Sequence, residues 1–168
     1  MRSTRKLTLA SVTAVSGLLF ALTPGTAHAD ASDLTARPTA KPKAGAAQAD
    51  VITCKITAHN PHYSHHAHAA DKHRVNVTAD VKCTKKVGSL KIKVILYKNG
   101  KKYKESGWKT ATGKNRVSTN AARRCVKKQT YQAKALATVV FPPRYTPPSG
   151  SGYDWSTKVR INACKKGG

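Results

Sequence analysis

Between Arg74 and Gly100 the chain reads RVNVTADVKCTKKVGSLKIKVILYKNG, and few folds accept such a stretch. Val75, Val77, Ala79, Val81 and Cys83 occupy every second position, with Asn76, Thr78, Asp80, Lys82 and Thr84 between them. Successive side chains leave a strand on opposite sides, so a period of two marks one face on a core and one in water. Residues 85–89 break the pattern, then Leu90, Ile92, Val94 and Leu96 resume it and run into Asn99-Gly100. Asn-Gly accepts positive φ at both central residues of a tight turn. The stretch therefore predicts a strand, a short connection, a second strand and a hairpin.

The N-terminus reads as a targeting signal. Arg2, Arg5 and Lys6 precede an uncharged apolar run, Leu7 to Leu22, and Ala27-His28-Ala29 has the small-x-small form that signal peptidase cuts. That run is 16 residues long, short of the roughly 20 that span a bilayer. Residues 1–29 are thus expected to be a signal peptide, and no later run suggests a transmembrane segment in the mature chain. Cleavage after Ala29 removes three of the 31 Lys and Arg and none of the seven acids, so the formal charge falls from +24 to +21. What remains fits one domain.

Four cysteines, Cys54, Cys83, Cys125 and Cys164, lie in the mature part. An even count in an exported chain reads as two disulfides. The nearest two are 29 residues apart, which argues against a zinc ribbon. Three pairings are open, and Cys54–Cys83 with Cys125–Cys164 is preferred because each joins strands near in chain order.

Residues 30–50 are rich in Ala, Pro and Thr with almost no large apolar side chain. Such a segment buries too little to offset its ordering entropy. It is expected to be a disordered or extended arm ahead of a domain over 51–168. Asp33, Leu34, Arg37, Lys41 and Lys43 are its candidate partner-binding residues. Further strands are expected at 51–57, 101–110 (lysine-rich, hence an edge), 115–119, 129–141 and 155–164, with Trp155, Thr157, Val159 and Ile161 alternating on one side of the last, and a long loop over 144–152. About seven short strands without a helical period predict an all-β fold, a small antiparallel, immunoglobulin-like β-sandwich with two disulfides.

Three features bear on function. The loop from His59 to His73 holds six of the seven histidines, and His62, His65, His66 and His68 are candidate zinc or copper ligands, with Asp71 able to add an oxygen. The competing reading is a solvated loop that takes up such metals weakly, so no resident cofactor is expected. Lysines recur in nearly every segment, which suits anionic polymers such as those of a cell envelope. Tyr97, Tyr103 and Trp108 interleave with them and offer stacking. Specific nucleic-acid recognition is disfavoured, since no recognition motif occurs and Lys outnumbers Arg. An enzyme is not expected: the domain's acids are only Asp71, Asp80, Glu105 and Asp154, the cysteines are paired, and no nucleophile or phosphate-loop motif is found.

The segments ITCKI, NPHYSHH, VNVTADVKC, ILYKNGK, NAARRC, VVFPPRYTPP and INAC, in this order over residues 51–164, resemble a family of small exported actinobacterial proteins with four cysteines at these places. Its Asn-Pro-His-x-Ser-x-His pattern is matched by Asn60, Pro61, His62, Ser64 and His66, which leaves His59, His65 and His68 as additions. Where the family reads Phe-Pro-Pro-Gly-Tyr, Arg144 replaces the glycine. The layout is also similar to the bridging subunits of the umbrella-shaped toxin particles secreted by Streptomyces, compact domains whose N-terminal arm docks into a lectin-like partner. That resemblance implies a secreted, non-enzymatic adaptor with a secreted protein partner. The alternatives are a cationic envelope-binding or antimicrobial protein and a metal-binding protein using the histidine loop.

Overall fold

The alternating stretch becomes two long strands that lie in different sheets. In the computed structural model, which describes residues 32–39, 50–64 and 73–165, the strands are β1 (Asp33–Pro38), β2 (Ile52–Ala58), β3 (His62–Tyr63), β4 (Arg74–Cys83), β5 (Ser89–Lys98) and β6 (Lys101–Glu105). They continue as β7 (Lys109–Thr112), β8 (Arg116–Arg124), β9 (Gln129–Val140), β10 (Tyr145–Thr146), β11 (Ser149–Trp155) and β12 (Val159–Ile161). The first sheet has the order β10-β1-β2-β4-β3 with β8 also on β4; the second has the order β11-β9-β5-β6 with β12 on β9 and β7 on β5. Seven of these strands divide as β2-β4-β8 facing β6-β5-β9-β11, and among them the chain crosses between sheets from β4 to β5, from β6 through β7 to β8, and from β8 to β9. This is immunoglobulin-type connectivity, with strands A, B and E opposite C′, C, F and G.

The core is the set of inward positions the alternation marks. Val75, Val77, Ala79 and Val81 of β4 meet Leu90, Ile92, Val94 and Leu96 of β5 and Tyr131, Ala133, Ala135, Ala137 and Val139 of β9, all of them buried. The alanines of β9 leave room for β2, which contacts β9 across the sandwich and buries Ile52 and Ile56. Both disulfides take the preferred pairing: Cys54–Cys83 ties β2 to β4 across one rung, and Cys125–Cys164 ties the β8–β9 corner to the end of the described chain.

Tyr131 closes that corner. Its hydroxyl accepts a hydrogen bond from Val126 N at 2.9 Å and donates to Val126 O at 3.0 Å. A tyrosine at the start of strand F bonding back to the preceding loop is the tyrosine corner of immunoglobulin-like sandwiches. Burial of the ring pushes its hydroxyl pKa up. The Asn-Gly turn forms as expected, with φ of 50° at Asn99 and 78° at Gly100. Asn99 Oδ1 also accepts from Thr130 N at 3.0 Å, so the turn is fastened to β9.

Four expectations are corrected. The segment 33–38 is not a free arm but β1, paired with β2 from Asp33 to Ala36 and with β10 at Arg37 and Pro38. Leu34 and Ala36 are buried there, and a Cβ built on Gly150 would come within 3.4 Å of Leu34 Cδ2, so the leucine reaches β11 of the other sheet. The domain therefore begins ahead of residue 51. The single strand over 101–110 is two, β6 and β7, which pair with opposite ends of β5. The loop over 144–152 contains β10 and most of β11, whose glycines sit on the inner face against the first sheet. The last strand is broken over 156–158, where the buried Ser156 accepts from Ala133 N through Oγ and donates from its own N to Ala133 O.

Two outcomes check this architecture. Because Leu34 is a core residue, L34A should lower unfolding free energy by about 2–4 kcal/mol, measured by urea titration; a change near zero would return the segment to the status of an arm. Arg144 holds φ of 68°, in the left-handed region that glycine enters without steric cost. A non-glycine residue in the left-handed region costs roughly 1–2 kcal/mol, partly offset by glycine's larger backbone entropy loss. R144G should therefore raise stability by about 0.5–1 kcal/mol, and a lower midpoint would contradict it.

Candidate binding face

What β5, β9 and β11 bury on one side fixes what they present on the other. Registered rows run Ile95–Lys134–Trp155, Lys93–Leu136–Tyr153 and Lys91–Thr138–Ser151 across the three strands. Tyr97 extends the face along β5, opposite Gln132. Trp108 enters it through the break between β6 and β7. There Ser106 donates N–H to Val94 O at 2.9 Å and accepts Val94 N–H through Oγ at 3.0 Å, so the edge strand can resume beyond it.

Rings and ammonium groups meet on this surface. Lys134 Nζ lies 4.3 Å from the ring centroid of Tyr153 and 4.8 Å from that of Trp155. Trp155 in turn packs against Tyr97 with centroids 5.1 Å apart and planes at 47°. Lys91 and Lys93 place their Nζ atoms 5.0 and 5.1 Å from the Trp108 ring. Each such contact contributes about 0.5–1 kcal/mol at an exposed site, enough to hold an ammonium beside a ring without tying it down. Trp108, Val140 and Trp155 are the exposed large hydrophobic side chains of the described residues, at 47, 45 and 40 % exposure. Both tryptophans of the chain are thus on one face.

The acids are nearly all elsewhere. Among the described residues Asp80 sits on the other sheet, mostly buried, with Arg116 Nη2 at 2.7 Å and His59 Nε2 at 3.2 Å. Asp154 points inward and accepts Ala58 N–H at 2.8 Å, and Asp50 pairs with Lys85 near the start of β2. Asp33 is on β1. Only Glu105 joins the lysine–aromatic face, with Lys93 and Lys102 Nζ each 3.5 Å away. Lys102 first, and then Lys93, holds its carboxyl below the usual glutamate range. The outer face of the first sheet is different in kind, built from residues such as Lys55, Thr57, Thr78, Lys82 and Ser118, with the imidazoles of His59 and His62 at its margin.

The sequence-derived candidates fare unevenly. Tyr97 and Trp108 belong to the face. Tyr103 does not; it lies at the sandwich's side with Lys98 Nζ at 4.6 Å and Arg123 at 5.1 Å, donating its hydroxyl to Arg124 O. Asp33, Leu34 and Arg37 are in β1, while Lys41 and Lys43 lie outside the described residues. His62 is exposed on β3 with Nδ1 3.4 Å from Asn60 O. His65, His66, His68 and Asp71 lie outside the described residues, as do residues 1–31. Among the described residues no three His, Cys, Asp or Glu side chains converge as a metal site would need, and no helix is long and apolar enough to cross a membrane. An open groove of about 600 Å³ lies beside Cys125–Cys164, with His73, Arg124, Lys127 and Lys165 in its wall.

Lys134, Tyr153 and Trp155 are the residues that sequence reasoning missed. Placing Trp155 in one continuous strand with Val159 and Ile161 assigned it to the core side. The break at Ser156 puts it outside, and the alternating glycines of Ser149-Gly150-Ser151-Gly152 were the available signal that a strand begins there. No protein-family model matches the chain, and no curated protein matches it either.

Glu105 offers a direct check on this electrostatic picture. Its folded pKa is depressed, so its favourable contribution is present above the unfolded value and fades as pH falls through the folded one. A carboxyl titration by NMR should give a midpoint below the ordinary glutamate range, moved upward more by K102A than by K93A. A midpoint at the ordinary value in the parent chain would contradict the geometry.

Proposed function

We propose that this chain is an exported, non-enzymatic binding module that holds anionic polymers on the outer face of the β11-β9-β5-β6 sheet. The observation that carries the reading is the seating of Lys91, Lys93 and Lys134 against Trp108, Tyr153 and Trp155 on a surface with a single acid among the described residues. Charge is spread widely and also meets a ring at Tyr103, but here three rings and their lysines share one face. Two disulfides support an oxidising destination, in keeping with the basic and apolar N-terminal run. The adaptor reading drawn from the Streptomyces bridging subunits loses residues 33–38 as a free arm, since β1 spends them on its own sheet. It now rests on the resemblance and on residues 40–49, which lie outside the described residues.

The test is a matched pair of charge reversals. K91E/K134E and K55E/K82E change net charge equally on opposite faces of the sandwich. Binding to an anionic polymer should weaken by roughly tenfold between 50 and 200 mM salt, as counterion release requires. It should drop much further in K91E/K134E than in K55E/K82E. Equal losses in the two variants, or binding indifferent to salt, would overturn the proposal.

A further inference from the structure

We infer that the polymer is an acidic polysaccharide, whose sugar rings pack on the two aromatic stations while its carboxylate or phosphate groups meet the lysines beside them. This rests on the anionic-polymer reading above and narrows it to a ligand class. The first station is Trp108 with Lys91 and Lys93, and the second is Trp155 and Tyr153 with Lys134. They are separated by three strand spacings, about 14 Å across the sheet, so a single extended chain can lie over both.

Four properties of the stations select among polyanions. Each ammonium is only 4.3–5.1 Å from a ring centroid, so an anion drawn to it arrives next to the ring. A sugar acid carries its charge on the same ring whose C–H face packs against an aromatic side chain. A nucleotide instead holds base and phosphate on opposite sides of the ribose, and inorganic polyphosphate has no ring to place. An anionic membrane would favour rings free to enter the interface, whereas these are engaged by lysines and, for Trp155, by Tyr97. Beside the second station, one row along β9 and β11 from Tyr153, Thr138 Oγ1 and Ser151 Oγ lie 3.0 Å apart and are suited to sugar hydroxyls. The ammonium groups seated on these rings are all lysines, point charges that accept a carboxylate or a phosphate without the fork geometry of arginine.

Because both tryptophans lie on this face, selectively excited tryptophan fluorescence reports on it, and calorimetry gives the affinity. The probes are polygalacturonate, a phosphorylated mannan, neutral dextran, polyphosphate, a single-stranded oligonucleotide and phosphatidylglycerol vesicles, each titrated into the mature chain. At least one acidic glycan should shift the tryptophan emission and bind on the order of tenfold or more tighter than dextran; which of the two does so separates carboxylate from phosphate. W108A/W155A should lose about tenfold for that glycan while changing polyphosphate binding by less than about twofold. W108F/W155F, which keeps a ring, should retain most of the affinity and guards against a folding artefact. Equal polyphosphate and glycan binding, unaffected by either double variant, would overturn the glycan assignment and leave the anionic-polymer reading standing. Tighter, tryptophan-dependent binding to the oligonucleotide or the vesicles would overturn it in favour of that class. Absence of binding to every charged probe would remove both readings.

Discussion

The pairing of β5 with β9, ten successive rungs from Ser89–Val140 to Lys98–Tyr131, is the constraint on which both the core and the binding face depend. An antiparallel ladder fixes the side of every residue along it, and a slip of one position would exchange the two faces entirely. Leu90, Ile92, Val94 and Leu96 stay inside only in the register that also keeps Lys91, Lys93 and Tyr97 outside. The hydrophobic core thereby specifies the lysine–aromatic surface without any contact made for that purpose. β11 extends the same ladder by one strand, which is how Tyr153 and Trp155 come to flank Lys134.

The remaining devices hold this frame at its corners. Tyr131 anchors the β8–β9 connection through Val126, Asn99 fastens the hairpin to Thr130, and Cys54–Cys83 locks β2 against β4. β1 and β10 close the first sheet on one side, where Thr39 donates from both its N and Oγ1 to Arg144 O at 2.8 and 3.1 Å. None of these lies in the proposed binding face, so the residues that hold the frame are separate from the lysine–aromatic set. At physiological ionic strength charges act over about 8 Å. On the proposed reading, the lysines far from the face therefore influence the approach of an anionic ligand more than its bound state, while Lys91, Lys93 and Lys134 bear on both.

Much of the frame was legible because alternation is a local signal. The strands around β4 and β5, the Asn-Gly turn and the long β9 follow from period-two spacing, and the disulfide pairing from chain order. What escaped notice was non-local. Leu34 and Ala36 are two apolar positions in a polar, proline-bearing segment, and pairing with β2, with the space above Gly150 for Leu34, makes them core residues. The glycines of β11 resemble loop composition, yet on the inner face they are what that close packing requires. Alternation carried on to Ile161 turns Trp155 inward, and the interruption at Ser156 depends on hydrogen bonds to Ala133 that no sequence window contains. Trp108 and Tyr97 were visible as rings among lysines, but their assembly with Tyr153 and Trp155 exists only once three strands are in register.

The central claim is that one face of one sheet does the binding, and amide chemical-shift mapping of the isotope-labelled chain tests it most directly. With an acidic polymer added in steps, the largest shifts should fall on residues 91–97, 132–138 and 151–155 and on the indole N–H groups of Trp108 and Trp155. The strands β2, β4 and β8 should change little. Shifts concentrated on the first sheet, on the groove beside Cys125–Cys164, or spread evenly over the lysines would contradict it.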